Sequence, residues 1–176
     1  AYKSAKPEFL ALYGRRRVGK TFLVRNAFEG KFAFYITGLA KATLQQQLTN
    51  FHIALQKYDA NSLAEQAANW MQAFNQLIQF LEKSKTRRKI VFIDELPWFD
   101  TRNSGFIQAL EHFWNNWASA RNDILLIACG SATSWMINKL IRNKGGLHNR
   151  VTKRIKLFPF SLAECEKFIK SKKIKL

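Results

Sequence analysis

Acidic residues are scarce in this 176-residue chain: 12 Asp and Glu stand against 29 Lys and Arg, a formal net charge of +17. Cysteine is scarcer, with only Cys129 and Cys165, and nothing around either resembles a metal site. Cys129 lies in an apolar run and reads as a small buried hydrophobe. Although 47% of the residues are apolar, no run approaches the roughly 20 residues that a membrane-spanning helix needs. The start carries no signal-peptide pattern, and no internal repeat or low-complexity segment appears. These absences fit a soluble chain in a reducing, cytoplasmic setting, with no membrane partner. The length suits one α/β domain with a real core.

The positive charge is uneven. From Lys139 to Leu176 there are twelve Lys or Arg against Glu164 and Glu166 alone, a surplus of ten. Such a stretch favours polyanions, and DNA or RNA held through phosphates is the partner it points to. An acidic segment elsewhere in a longer protein would account for it equally well. The chain has no initiator Met and stops in a run of lysines, which reads as a boundary inside a larger protein.

Apolar patterning alternates between two periods. Phe9 to Tyr13 is a short apolar run closed by Gly14, followed by a helix over about Lys20 to Phe28. Phe32 to Thr37 reads as a second strand. Leu44, Leu48, Phe51 and Leu55 mark one helical face. Ser62 and Glu65 form a capping-box pattern opening a further helix with Ala67, Trp70, Met71, Phe74, Leu77, Ile78 and Leu81 on its apolar side. Ile90 to Ile93 is a fully apolar strand ending on Asp94 and Glu95. A helix carrying Phe106, Leu110, Phe113, Trp114 and Trp117 leads to another apolar strand at Ile124 to Ala128. A helix over Ser134 to Ile141 and a strand near Ile155 to Phe158 follow. Pro159 stops that strand, and Ser161 with Glu164 caps a last helix. Alternating strands and helices predict an α/β fold with a parallel sheet covered on both faces.

Two constellations carry chemistry. Gly14-Arg15-Arg16-Arg17-Val18-Gly19-Lys20-Thr21 matches G-x-x-x-x-G-K-[ST] between an apolar strand and a helix. Backbone N–H groups must wrap a phosphate closely there, and the following helix turns its positive end to the same anion. Lys20 is placed to reach the β- and γ-phosphates, and the Thr21 hydroxyl to coordinate Mg²⁺. The second constellation is Asp94-Glu95 at the tip of the Ile90–Ile93 run, where a carboxylate is costly unless something positive meets it. Magnesium on a triphosphate meets that need: Asp94 holds the ion through its water shell, and Glu95 activates the attacking water.

With these residues in view, the chain resembles the archaeal-type P-loop ATPases of prokaryotes, a branch of the additional-strand, catalytic-glutamate class related to AAA+ and STAND proteins. Tyr13 to Thr21 and Ile93-Asp94-Glu95-Leu96-Pro97-Trp98 carry the resemblance. Ala128 to Thr133, Leu147 to Arg150 and Leu157 to Ser161 extend it over about Phe9 to Phe168. It implies a three-layer fold with a five-stranded parallel sheet, in which the Ile124 strand lies between the phosphate-loop and Asp94 strands. It implies that Ser131, with Thr133 as second choice, senses the γ-phosphate. Arg150 resembles the arginine that serves as a finger on a neighbouring subunit's nucleotide, which implies a nucleotide-dependent homo-oligomer. Residues 1–160 correspond to the ATPase core, and 161–176 to the start of a helical lid that this chain leaves incomplete. Adenine as the base also rests on the resemblance, since no guanine-reading Asn/Thr-Lys-x-Asp pattern occurs.

The function expected is therefore ATP binding and Mg²⁺-dependent hydrolysis, used as a switch for an attached or bound partner. A binding module with negligible turnover and a P-loop kinase are the competing readings. Glu95 directly after Asp94 suits water activation rather than transfer to an acceptor.

Overall fold

A computed structural model describes residues 6–58, 65–142 and 144–171. Five strands form one parallel sheet in the order β2-β3-β4-β1-β5. They are β1 (Glu8–Tyr13), β2 (Phe34–Thr37), β3 (Lys89–Asp94), β4 (Ile124–Gly130) and β5 (Lys153–Lys156). The Ile124 strand thus lies between the phosphate-loop strand and the Asp94 strand, as the resemblance implied. The helices are α1 (Lys20–Ala27), α2 (Leu44–Gln56), α3 (Trp70–Lys83), α4 (Phe106–Asn116), α5 (Thr133–Trp135) and α6 (Leu162–Ser171). α5 is a single turn that runs straight into a π-helical segment, Met136–Ile141, where the sequence predicted one continuous helix.

The period-two alternation of the strands divides the core in two. Phe9, Val91, Ile93, Leu126 and Ala128 face one way and pack beneath Leu48, Trp70, Phe74, Leu110 and Phe113. Leu10, Leu12, Ile90, Phe92, Ile127 and Cys129 face the other way, against Val24 of α1. β1, β3 and β4 read as unbroken apolar runs because both of their faces are covered.

Three expectations need correcting. α3 starts at Trp70, not near Ser62: Asn69 is its cap, with Oδ1 accepting from the Gln72 N–H at 3.0 Å. Ser62 lies outside the described residues, and Ala67 is buried but precedes the helix. Trp117 falls one residue past the end of α4. β5 occupies Lys153–Lys156 rather than Ile155 to Phe158, because it pairs with β1 from Leu10↔Lys153 to Tyr13↔Lys156. All four of its residues are exposed, so no buried apolar pattern marks where the strand begins. Thr152 anchors its entry, accepting from the Phe9 N–H at 2.9 Å and donating to Glu8 Oε2 at 2.9 Å.

At the opposite end from the phosphate loop, an ionic knot joins β3 to β4. Asp123 accepts from Arg121 Nε and Nη2, each at 2.9 Å, and from Lys89 Nζ at 2.6 Å. The Arg121 hydrogen bonds first, then Lys89, hold the Asp123 carboxyl well below its ordinary value, at about 2. A carboxylate with a lowered folded pKa contributes in full above the unfolded value of about 4 and loses its contribution as pH falls toward 2. Lys89 is buried, so removing its counter-charge strands an ammonium. Asp123→Asn is expected to cost about 2–3 kcal/mol at pH 7. Urea unfolding of parent and variant at pH 7 and near pH 2 checks this: the gap should close at the lower pH.

Candidate phosphate-binding and hydrolytic site

Each of three adjacent strands hands its next residue to one place. Gly14 follows β1, Glu95 follows β3 and Ser131 follows β4, so the phosphate-loop motif, the acidic pair and the sensor candidate meet at the carboxyl edge of the sheet. Open α/β sheets place ligands in the crevice at this edge.

The loop is shaped by close backbone contact. A Cβ on Gly14 would overlap the carbonyl oxygen of Leu157, and the Leu157 N–H donates to the Tyr13 carbonyl at 2.8 Å. Arg17 turns the chain at φ 63°, and Gly19 caps α1 at φ 84°. No side chain caps α1 and no acidic residue occupies its first turn, which leaves its positive end facing the loop. Lys20 is 5% exposed, and its ammonium donates to the carbonyls of Gly14 at 3.1 Å and Arg15 at 2.8 Å.

Thr21 and Asp94, 73 positions apart, are in direct contact: the Thr21 hydroxyl donates to Asp94 Oδ2 at 2.6 Å. Asp94 is 2% exposed, and its other oxygen accepts from the Glu95 N–H at 2.9 Å. Burial, and next the adjacent Asp94 carboxylate, push the Cys129 thiol far up, so it stays protonated and inert. No group of three or more His, Cys, Asp or Glu side chains gathers among the described residues. The Thr21–Asp94 pair of hard oxygens fits Mg²⁺ rather than a softer metal, since that ion usually keeps waters and phosphate oxygens as its other ligands.

Glu95 occupies the left-handed region at φ 47°, ψ 42°, a conformation that costs on the order of 1 kcal/mol or more for a residue with a side chain. Its surroundings hold it there. Oε2 accepts from the Ser131 hydroxyl at 2.8 Å and the Ser131 N–H at 3.4 Å. Its carbonyl approaches Gly38 so closely that a Cβ there would lie 2.7 Å away. Ser131, not Thr133, is therefore the residue that meets the carboxylate. Beside them is a cavity of about 210 Å³ lined by Arg16, Glu95, Pro97, Trp98, Ser131 and Trp135.

Two features escaped the sequence. Gln47 is completely buried. Its Nε2 donates to the carbonyls of Leu39 at 2.6 Å and Trp98 at 2.9 Å, and its Oε1 accepts from the Leu39 N–H at 3.2 Å. It ties the β2–α2 loop to the turn that carries Glu95. The legible signal was a polar residue on the stripe of Leu44, Leu48 and Phe51. The second feature is an apolar cleft of about 660 Å³ beside Gly19, lined by Arg17, Val18, Phe22, Leu23, Phe160 and Phe168. It unites residues some 140 positions apart, which no local pattern connects.

Arg150 lies elsewhere. It is exposed and precedes β5, at the amino edge of the sheet, a strand length, on the order of 15 Å, from the Gly14 edge. Among the described residues no helix is long and apolar enough to cross a membrane.

The chain is similar along its length to proteins of known and unknown role. It is 26% identical over 161 residues to an uncharacterized protein of Methanocaldococcus jannaschii, covering 92% of this chain and 33% of that protein. The Walker-type ATPase of Pyrococcus abyssi superposes with a TM-score of 0.61 at 19% identity, over 97% of this chain and 55% of that one. A chain in the structure of Drosophila ORC bound to DNA superposes with a TM-score of 0.51 at 12% identity, over 88% and 85%. The chain thus spans about a third to a half of the first two relatives, and these superpositions establish the P-loop ATPase fold. The family model for the ATPase domain predominantly from Archaea matches residues 1–175, and the chain belongs to that family.

Proposed function

We propose that this domain binds ATP with Mg²⁺ and hydrolyses it, and that its nucleotide state acts as a switch for the rest of the protein or for a partner. The observation that carries this reading is the pairing at the sheet edge: Thr21 bonded to Asp94, and Ser131 bonded to Glu95. The backbone of residues 14–19 and the start of α1 cradle the phosphates, and Lys20 moves its ammonium from the loop carbonyls onto them. Thr21 and Asp94 hold Mg²⁺, which when bound neutralises the phosphate oxygens. Glu95 orients a water and takes its proton, and Ser131 releases Glu95 to meet the terminal phosphate. The aromatic cleft beside Gly19 accepts the base, which stacks on Phe22 or Phe160. α6 forms one wall of that cleft through Phe168, in keeping with the start of a lid. An Arg150 finger would need a second copy of the chain, since Arg150 precedes β5 at the amino edge of the sheet.

The resting geometry also bears on turnover. With its carboxylate engaged by Ser131, Glu95 is a restrained base, which favours slow hydrolysis and a long-lived bound state over rapid cycling.

Two substitutions test the reading. Lys20→Ala is expected to weaken ATP·Mg²⁺ binding by about 2 kcal/mol or more, roughly thirtyfold, in titrations with a fluorescent ATP analogue. Glu95→Gln is expected to keep that affinity and slow phosphate release about a hundredfold or more. Tight binding with equal, negligible turnover in parent and Glu95→Gln would favour a pure binding module.

Nucleic acid is the partner class that the surface favours. β5 exposes Lys153, Arg154 and Lys156 along the open edge of the sheet, in a chain of net charge +17. Phosphates of DNA or RNA meet such an edge without base reading. Duplex affinity is expected to fall with salt at a log–log slope near −0.9 per phosphate contacted, and reversing Lys153 and Arg154 should flatten that slope by about 2. The absence of any salt-sensitive binding by the full-length protein at low ionic strength would remove this partner.

A further inference from the structure

The phosphate loop carries three consecutive arginines, and the fold sends them to different places. Arg15 contributes its carbonyl to Lys20. Arg17, at positive φ, lines the aromatic cleft. Of the three, only Arg16 lines the cavity that also holds Glu95 and Ser131, and among the described residues it is the one cationic residue in that lining. Among the described residues Arg16 forms no ion pair, so no carboxylate occupies its guanidinium. The cavity's volume of about 210 Å³ is several times the roughly 30 Å³ of a water molecule. It has room for a phosphoryl group and the water that attacks it.

We propose that Arg16 is the transition-state arginine of this site, supplied in cis, so that one chain completes its own hydrolytic centre. The inference rests on the reading of the site as an ATPase. As the water oxygen bonds to the γ-phosphorus, Glu95 takes the water's proton and the bond from phosphorus to the β,γ-bridging oxygen breaks. ADP and phosphate leave. Negative charge grows on the bridging oxygen and spreads over the equatorial γ-oxygens during that exchange. A planar guanidinium, with five N–H donors and a fixed charge, meets those oxygens in a way that a lone ammonium does not. Lys20 does not replace it: its one compact ammonium, which leaves the Gly14 and Arg15 carbonyls for the phosphates, already serves the ground state. Arg150 cannot serve its own chain from the opposite edge of the sheet. Because only the transition state presents the extra charge, Arg16 acts on turnover more than on ground-state binding.

The test uses the full-length protein, with Arg16→Ala and Arg16→Lys compared with the parent for ATP·Mg²⁺ affinity, phosphate release per chain and affinity for ADP·Mg²⁺ with fluoroaluminate. Arg16 is exposed, so neither change should unfold the chain, and a thermal melt verifies this. Arg16→Ala is expected to bind ATP within about threefold of the parent, yet turn over at least about a hundredfold more slowly. It should also lose the added affinity that fluoroaluminate confers on ADP. Arg16→Lys should recover part of both. Turnover per chain in the parent should not change with protein concentration. Arg16→Ala hydrolysing within threefold of the parent overturns the proposal while leaving the ATPase reading intact. So does turnover that rises with protein concentration and disappears in Arg150→Ala, since the cation then comes from a second copy. A parent that binds ATP but neither turns it over nor gains affinity from fluoroaluminate also overturns it. A parent that binds no ATP overturns the reading of the site and the proposal together.

Discussion

A carboxylate buried at the end of an apolar strand is the constraint around which this domain is arranged. Asp94 is almost completely enclosed, and an enclosed charge must be met by hydrogen bonds or by opposite charge. The Thr21 hydroxyl and the Glu95 N–H meet it. For Thr21 to do so, the first turn of α1 must lie over the end of β3, which sets how α1 crosses the sheet. β4 lies between β1 and β3, so the contact spans two strand spacings at the carboxyl edge of the sheet. Helix placement and the chemistry of the site thus meet at one buried charge.

Glu95 shows how the surrounding fold sustains a conformation that local preference disfavours. Its left-handed backbone is held by contacts from three elements. Gly38 at the end of β2 leaves room for its carbonyl, Ser131 at the end of β4 bonds its carboxylate, and Gln47 in α2 fastens the turn through Trp98. Strain held by an over-determined environment is common at functional positions, and here it aims a carboxylate into the cavity shared with Arg16.

The two faces of the sheet serve different ends. One is covered by α2, α3 and α4 through a dense aromatic cluster, including T-shaped contacts of Trp70 with Phe51, Phe99 and Phe106. That face supplies the rigidity the site needs. The other is covered mainly by α1, and Phe22, Leu23, Phe158 and Phe160 remain exposed beyond it. Phe22, Leu23 and Phe160 of this set line the cleft beside Gly19. It adjoins the phosphate loop at Arg17 to Gly19 and the basic edge strand at Lys156, whose ammonium lies over the Phe158 ring.

Much was legible in the sequence because it is local. The phosphate loop is eight consecutive residues whose glycines and lysine have fixed tasks. β1, β3 and β4 are apolar runs closed by polar residues, and Asp94 at the tip of such a run announces its own need for a partner. What the sequence could not decide is non-local or contrary to pattern. β5 is a basic edge strand placed by its register with β1, so burial could not reveal it. The start of α3 belongs to Asn69 rather than Ser62 because capping depends on where the apolar face meets the core. Arg15, Arg16 and Arg17 are chemically identical in sequence, and only the folded loop separates Arg16, in the cavity with Glu95, from Arg17, in the aromatic cleft. Gln47, the Ser131–Glu95 bond and the aromatic cleft depend on residues that adjoin only when strands 30 to 140 positions apart share one edge. The sequence by itself determined which groups could bind phosphate and metal. The tertiary structure decided which of them meet, because a buried hydrogen bond forms only where packing has brought both partners within about 3 Å.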